Sequence, residues 1–553
     1  MRGRRTLLAV VTVLGLALVW FALTAPDRAT GLSPLVFTRL PVEALVLVAL
    51  ALLLPHRAVT VTATVVGLLL GVLTVLRLLD MSFWVTLDRP FDPVVDWRYL
   101  GPLTGLVVDS VGRTAGAGLL LSVAVVVLLL LVTLPLALRR LATVVARHRR
   151  GSWRVVLVGS LVWLGCALLG VATATGGPVA TTSASTYAFQ QARRVPVEIA
   201  DERAFATATR HDPLLRTPRS DLLTGLRGKD VELVFVESYG RVAVQGSSFS
   251  PGVDAVLDAG TRQLARAGFG ARSAFLRSPT YGGISWLAHS TMQSGLWVDS
   301  QQRYSVLLRS RRGTLTGAFG RAGWRTVSDI PSDTRDWPQG AFYGYDKFYD
   351  SRNVGYAGPR FGYPTMPDQY TLDAFHRLEL ARHPRPPVMA EIDLVTSHAP
   401  WSRTPTLLPP DRVGNGSVFD GMPQRTPSKA VIWRSPQRIR AAYGRSIQYS
   451  LKALVSDLVT HGNRNTVVVF LGDHQPAGVV SGSNAGHDVP VTVVARDPRV
   501  LDRISGWGWT PGLRPATGSP VWRMDAFRDR FLRAYSSPTP TLNPGTGSGV
   551  VHR

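Results

Sequence analysis

Three short polar clusters in this chain each follow a run of apolar, largely β-branched residues, and their side chains are of the types that hold divalent metals or move protons. Glu237-Ser238-Tyr239 follows residues 231–236, Ser397-His398 follows residues 388–395, and Asp473-His474 follows residues 466–471. A carboxylate beside a neutral imidazole is half of a site for Mn²⁺ or Zn²⁺ or, less readily, Mg²⁺. Glu237 can add a second anionic oxygen from another strand end. An Asp-His pair alone is weak evidence, since hydrogen-bonded polar residues also close the edges of sheets. The like placement of three such clusters is what points to a metal centre.

A fourth segment supplies a hydroxyl. In Ser278-Pro279-Thr280-Tyr281-Gly282-Gly283-Ile284-Ser285-Trp286 the paired glycines allow a tight approach, and the residues from Trp286 to Met292 can be helical. Ser285 then sits near a helix N-terminus, where free amides favour a phosphoryl or sulfuryl oxygen. A neighbouring metal lowers the pKa of such a hydroxyl and makes it a nucleophile. The plainer reading is an N-cap serine, and Thr280 is a rival hydroxyl on the other side of the glycines.

These residues need a scaffold. From about residue 222 to 535 short β-branched runs alternate with helical ones: strands are expected at 231–236, 388–395, 466–471 and 489–495, and helices at 253–267 and 437–460. Largely apolar strands separated by helices mean an α/β domain with a largely parallel sheet. Glu391 and Asp393 interrupt one strand and imply a wetter face there. Ligands of such sheets gather beyond the carboxyl ends of the strands, which is where all three clusters fall.

The first third is different in kind. Five apolar segments, 7–25, 40–54, 59–79, 117–138 and 153–174, read as membrane helices, the second being short for a roughly 30 Å hydrocarbon layer. Arg2, Arg4 and Arg5 precede the first, Arg57 lies between the second and third, and Arg139, Arg140, Arg147, Arg149 and Arg150 lie between the fourth and fifth. The positive-inside rule then puts everything after Ala174 outside. The external loop 80–116 carries Trp84, Trp97 and Tyr99, residues suited to an interface. A cleaved signal peptide is the alternative for the first segment. The expected organisation is a five-helix transmembrane region at 1–174, a linker at 175–221, a catalytic domain at 222–535 and a disordered tail at 536–553.

Composition narrows the partners. The chain of 553 residues has 61 Lys+Arg against 37 Asp+Glu, a formal charge of +24. Lysine occurs only at 229, 347, 429 and 452, and the arginines form no dense tract outside the short loops of the first third. Anionic lipid headgroups are the better match for this charge than nucleic acid. The single cysteine, Cys166, lies in an apolar run, so disulfide scaffolds, cysteine zinc sites and an external thiol nucleophile are excluded.

The order of Val234-Phe235-Val236-Glu237-Ser238-Tyr239, Gly282-Gly283-Ile284-Ser285-Trp286, Phe342-Tyr343-Gly344-Tyr345-Asp346-Lys347-Phe348-Tyr349-Asp350, Ser397-His398-Ala399-Pro400 and Gly472-Asp473-His474-Gln475-Pro476 resembles the sulfatase-like membrane phosphotransferases of the alkaline phosphatase superfamily, the lipoteichoic acid synthases above all. The resemblance covers roughly residues 231–490, and the helical anchor extends it. It implies a helical membrane anchor plus an α/β sulfatase/alkaline-phosphatase-like domain with a largely parallel central sheet, in a bacterial plasma membrane with the enzyme outside. It implies that Glu237, Ser285, Asp473 and His474 surround one divalent metal, Mn²⁺ first and Mg²⁺ or Zn²⁺ as alternatives. Ser285 matches the nucleophile, usually a threonine in the synthases, and His398 the histidine on the phosphate or leaving group. Trp286, Arg303, Trp401 and His487 are candidates for substrate binding, His487 also for a second metal position.

The resemblance further implies transfer of a glycerophosphate-like group from an anionic membrane phospholipid to an envelope glycan or polymer through a covalent serine intermediate. Residues 285–289, Ser-Trp-Leu-Ala-His, lack the Pro and Arg of the formylglycine context of true sulfatases, which argues against sulfate-ester hydrolysis. A hydrolase, a catalytically idle membrane-anchored binding protein and a transporter using Glu43 are the other readings.

Overall fold

The Leu-, Val- and Ala-rich runs of the first third fold as helices, which pair interior backbone groups within the segment. The computed structural model describes residues 2–96, 113–174, 177–382, 384–482 and 485–537, and the chain divides into two units, Met1–Arg203 and Ala204–Arg553. Among the described residues four helices, Gly3–Thr24, His56–Leu87, Arg113–Arg147 and Arg149–Leu168, are long and apolar enough to cross a membrane.

The second expected segment falls short of that length. Val42–Leu53 has 12 residues, about 18 Å at 1.5 Å per residue. Two prolines bound it: Pro41 is its N-cap, and Leu54, ahead of Pro55, is extended at φ −82° and ψ 148°, because a residue before proline is pushed out of the helical region. Glu43 is engaged in this unit, its Oε1 accepting from Ser185 N and Oγ at 2.8 Å each. Trp84 belongs to the long third helix, whereas Trp97 and Tyr99 lie outside the described residues. So does the expected tail from residue 538 onward. The span expected as linker holds the 28-residue helix Ser183–Arg210.

In the second unit, nine strands among the described residues make one sheet. They are β1 (Asp230–Val236), β2 (Gly270–Arg277), β3 (Arg325–Ile330), β4 (Lys347–Asp350), β5 (Val388–Leu394), β6 (Thr466–Gly472), β7 (Asp488–Ala495), β8 (Thr510–Pro511) and β9 (Val521–Arg523). Their order is β8-β2-β7-β6-β1-β5-β3-β4, with β9 also on β2. The centre is parallel, β1 pairing with β5 and β6, and β3 with β4 and β5. On the other side β7 runs antiparallel to β6 and β2. The strands expected from sequence are all present, within a residue or two of their limits.

Every residue of β1 and β6 is buried, because helices cover both faces. Val234 and Val236 pack with Leu257, Tyr443, Ile447 and Leu451, from the helices Ser250–Arg266 and Pro436–His461. Leu233 and Phe235, on the opposite face by the two-residue period of a strand, join the core of Ala288, Met292, Phe319 and Phe531. The wetter face expected of β5 is absent: Glu391 is buried and Asp393 half-buried, and Glu391 bonds to groups on the helix Ser285–Ser294 instead of water.

Candidate active site

Strand register sets the site. Val236 lies opposite Leu394 of β5 on one side and Gly472 of β6 on the other, so Glu237, Val395 and Asp473 leave the sheet side by side. Gly472 is required there because a Cβ would collide with the Tyr239 carbonyl. Asp473 Oδ1 accepts from the backbone N–H groups of Ser238 and His474, each at 2.7 Å, which stitches the two strand ends together. His474 Nδ1 is 2.8 Å from the Gln475 carbonyl. A carbonyl only accepts, so Nδ1 carries the proton and Nε2 presents its lone pair.

The Gly-rich loop docks on the same carbonyl, Gly282 N donating to Gln475 O at 2.9 Å. Gly282 and Gly283 have φ of 70° and 154°, values that favour glycine, and they turn the chain into the helix Ser285–Ser294. Ser285 opens that helix as its sequence suggested. Its Oγ lies 3.2 Å from Glu237 Oε2 and 3.2 Å from His474 Nε2, while that Nε2 is 3.4 Å from Glu237 Oε1 and 3.3 Å from Asp473 Oδ2. Thr280 is turned away from this role, its hydroxyl donating to the Gly283 carbonyl at 2.5 Å.

Glu237, Asp473 and His474 offer ligand atoms within 4.8 Å of one another, so the cluster can chelate a divalent metal. Asp473 Oδ2 is buried and has no donor, a costly state for a carboxylate oxygen. Burial and the charge of Glu237 push the Asp473 carboxyl up to about 6. Two carboxylates and an imidazole lone pair aimed at one point suit a first-row dication, and a cation there would relieve the unpaired oxygen.

The remaining candidates separate. Ser397 Oγ donates to the Glu237 carbonyl at 2.6 Å, which fixes the loop of His398 to the cluster. The His398 ring stacks on Tyr363 with centroids 3.6 Å apart, and burial drives its pKa down to about 4 against the pull of the Ala399 carbonyl. Trp401 is 2% exposed; its indole donates to Ser397 O at 2.7 Å, so it braces the His398 loop from inside the core. Trp286 donates to Gln301 at 3.0 Å, and Arg303 to the Trp297 carbonyl at 2.7 Å. The His487 ring lies 5.6 Å from Tyr281 and its carbonyl accepts from Ser278 N, at the flank of the glycine loop.

One group escaped the sequence reading. His289, Glu391 and Asp393 form a second cluster of metal-ligand types. Two spacings signal it in retrospect: His289 is one helical turn after Ser285, and Glu391 and Asp393 are two apart on one strand, hence on one face.

No protein-family model and no curated protein matches the chain. Solved structures to which it is similar include the lipoteichoic acid synthase LtaP from Listeria monocytogenes, at 15% identity over 49% of this chain and 66% of that chain, with a TM-score of 0.35. Another is the C-terminal periplasmic domain of EcEptC from Escherichia coli in complex with Zn, at 14% identity over 58% and 86% of the two chains, TM-score 0.38. A third is the phosphoglycerol transferase GacH of Streptococcus pyogenes in complex with sn-glycerol-1-phosphate, at 13% identity over 60% and 91%, TM-score 0.35. The chain thus spans just under two thirds of the first.

Proposed function

We propose that this chain is a membrane-anchored, metal-dependent phosphotransferase, in which Ser285 takes a phosphoryl-containing group from an anionic membrane lipid and passes it to a hydroxyl of an envelope glycan or polymer. The observation that carries this reading is Ser285 Oγ at 3.2 Å from both Glu237 and His474 Nε2, beside the unpaired Asp473 oxygen. Glu237, Asp473 and His474 would hold the divalent ion, Mn²⁺ by preference, which when bound supplies positive charge favouring the ionised serine and the phosphoryl oxygens.

The chain's own residues do the rest. Ser285 Oγ forms a bond to phosphorus as the bond to the lipid alcohol breaks, and in net terms the serine proton leaves on that alcohol. First-turn amides of the helix Ser285–Ser294 donate to the phosphoryl oxygens. His398 Nδ1 is 2.6 Å from the Ala399 carbonyl, which leaves Nε2 as an acceptor to orient the incoming hydroxyl. That hydroxyl oxygen then bonds to phosphorus as the bond from Ser285 Oγ to phosphorus breaks, and in net terms the hydroxyl proton passes to the released serine oxygen. The glycerophosphate-like nature of the group rests on the motif resemblance.

An enzyme anchored in a membrane meets a lipid donor in two dimensions, which makes sense of the four long apolar helices. The arginines before the first helix and those of residues 139–150 lie on the same side only if Val42–Leu53 and its flanks also cross. We read that segment as a short crossing through a locally thinned bilayer, with the catalytic unit outside.

The test is incubation of the purified full chain with Mn²⁺ and phosphatidylglycerol in mixed micelles, with and without a glycan acceptor, followed by peptide mass spectrometry. A phosphoryl-containing adduct on Ser285 that disappears when acceptor is added is expected. Turnover without any adduct, or turnover undiminished in Ser285→Ala, would overturn the reading, and release of product to water alone would make the protein a hydrolase.

A further inference from the structure

Three arginines outside the strand-end cluster meet at one pocket. Arg311 and Arg312 lie in the turn between the helices Gln301–Leu308 and Leu315–Arg321, and Arg321 closes the second helix. All three line a surface pocket of about 570 Å³, a size at which proteins hold small molecules. Leu214 and Leu215 and the turn Pro338–Phe342 supply other walls. Among the described residues no Asp or Glu lines it.

Local bonding fixes these groups without cancelling their charge. Arg321 Nη1 and Nη2 donate to the Leu214 and Thr217 carbonyls at 2.8 and 2.6 Å, which are neutral, and its Nε makes no hydrogen bond. Arg312 is 6% exposed; its Nε donates to Ser294 O at 2.9 Å and its Nη1 to His211 O at 2.6 Å, which leaves Nη2 over. Neither free nitrogen is enclosed, so each can still donate to a ligand. Asp212 lies 3.3 Å from Arg312 Nε but also takes both terminal nitrogens of Arg528, so its charge is divided between two guanidinium groups. Arg311 is exposed and has no hydrogen bond or ion pair among the described residues.

Guanidinium forks match the oxygens of a phosphate, and three of them around one pocket suit a dianion better than a single carboxylate. Leu215, 49% exposed, and the half-buried Leu308 and Phe342 add an apolar wall. The pocket is separate from the strand-end cluster yet tied to the same helix. Arg312 bonds to Ser294, the last residue of the helix that Ser285 opens, about 14 Å along it at 1.5 Å per residue. Tyr343, which also lines the pocket, pairs its hydroxyl with that of Ser290 at 2.7 Å.

We propose that this pocket binds a phosphate monoester carrying an apolar or aromatic group, with Arg311, Arg312 and Arg321 on the phosphate and Leu215, Leu308 and Phe342 against the rest. It is a second ligand site, beyond the reaction proposed for Ser285 and independent of it.

The test uses the full chain in detergent, stripped with chelator so that the strand-end carboxylates hold no cation to attract phosphate. Calorimetric titration with phenyl phosphate should show one site per chain. Inorganic phosphate should bind about tenfold more weakly or worse, having no group to lay against the apolar wall. Arg311→Glu and Arg321→Gln should each weaken phenyl phosphate by about tenfold or more, the loss of one charge-assisted hydrogen bond. Arg311 is exposed and unbonded, so its variant should fold even if the Arg321 variant does not. Asp473→Asn should leave this affinity unchanged. Dihexanoyl phosphatidic acid, also a phosphate monoester, is titrated alongside: tighter binding than phenyl phosphate names a lipid as the source, weaker binding a soluble ester, and either supports the site. Absence of binding, wild-type affinity in Arg311→Glu, equal affinity for inorganic phosphate, or loss of binding in Asp473→Asn overturns the assignment and leaves the proposed function standing.

Discussion

Ser285 Oγ lies 3.2 Å from His474 Nε2, although 189 positions separate the two in sequence. The hydroxyl and the lone pair meet because the glycine loop before Ser285 docks on the carbonyl of Gln475, the residue after His474. Ser285→Ala removes the oxygen and leaves that docking intact. Transfer activity is expected to fall by about a thousandfold or more with Mn²⁺ content and circular dichroism unchanged. Retention of a tenth of the activity would remove Ser285 from the reaction.

Asp473→Asn separates the two jobs of that side chain. The amide oxygen can keep the bonds from Ser238 N and His474 N now made by Oδ1, while the amide nitrogen replaces the unpaired Oδ2. The variant should fold and bind Mn²⁺ more weakly by on the order of a hundredfold, at or beyond the upper end of what loss of an outer partner costs. Calorimetric titration of the stripped protein measures it. Mn²⁺ should raise the melting temperature of the wild type and not of this variant.

Asp212 is expected to matter for stability rather than chemistry. Its fully buried carboxylate takes both terminal nitrogens of Arg528 at 3.1 Å each and lies 3.3 Å from Arg312 Nε, whose Nε also donates to the Ser294 carbonyl at the end of the Ser285 helix. Asp212→Ala strands two buried guanidinium groups, a loss of about 3–5 kcal/mol. Urea unfolding followed by tryptophan fluorescence checks it, and a loss below about 1 kcal/mol would contradict the buried-pair account.

His398 should stay neutral at and above pH 5. Its pKa falls from the ordinary 6.5 to about 4 in the fold, so between those values the unfolded chain binds a proton that the folded chain refuses. Stability linked to His398 is therefore present above about pH 6.5 and is lost as pH falls toward 4. His398→Asn should flatten that part of the stability profile, and the wild-type ring resonances should show no titration between pH 8 and 5.

The site was legible where a functional residue directly followed an apolar run. Glu237 and Asp473 could be placed at strand ends because β1 and β6 are buried on both faces and therefore read as continuous apolar segments. Ser285 stood out through its glycines. β2, β3 and β4 left no such trace: β2 carries Arg272, Ser273 and Arg277 among its apolar residues, and β4 has only four residues. Trp401 is a candidate for substrate binding only through the motif resemblance, and no local pattern showed that it is buried with its indole donating to Ser397 O. The short second membrane segment was written in Pro41 and Pro55, whose effect on helix length outweighs the apolar run between them.

By itself the sequence determined the division into an apolar helical part and an α/β part, the central strands, and which ionisable residues end them. Local periodicity carries this much because it reports which faces are buried. Only the tertiary structure decided that β1 sits between β5 and β6, that Ser285 reaches His474, and that His289 pairs with Glu391 across 102 positions. Periodicity says that a face is covered and not by what. Strand order and the meeting of distant side chains follow from how helices and loops pack over the whole sheet, and no local pattern records that choice.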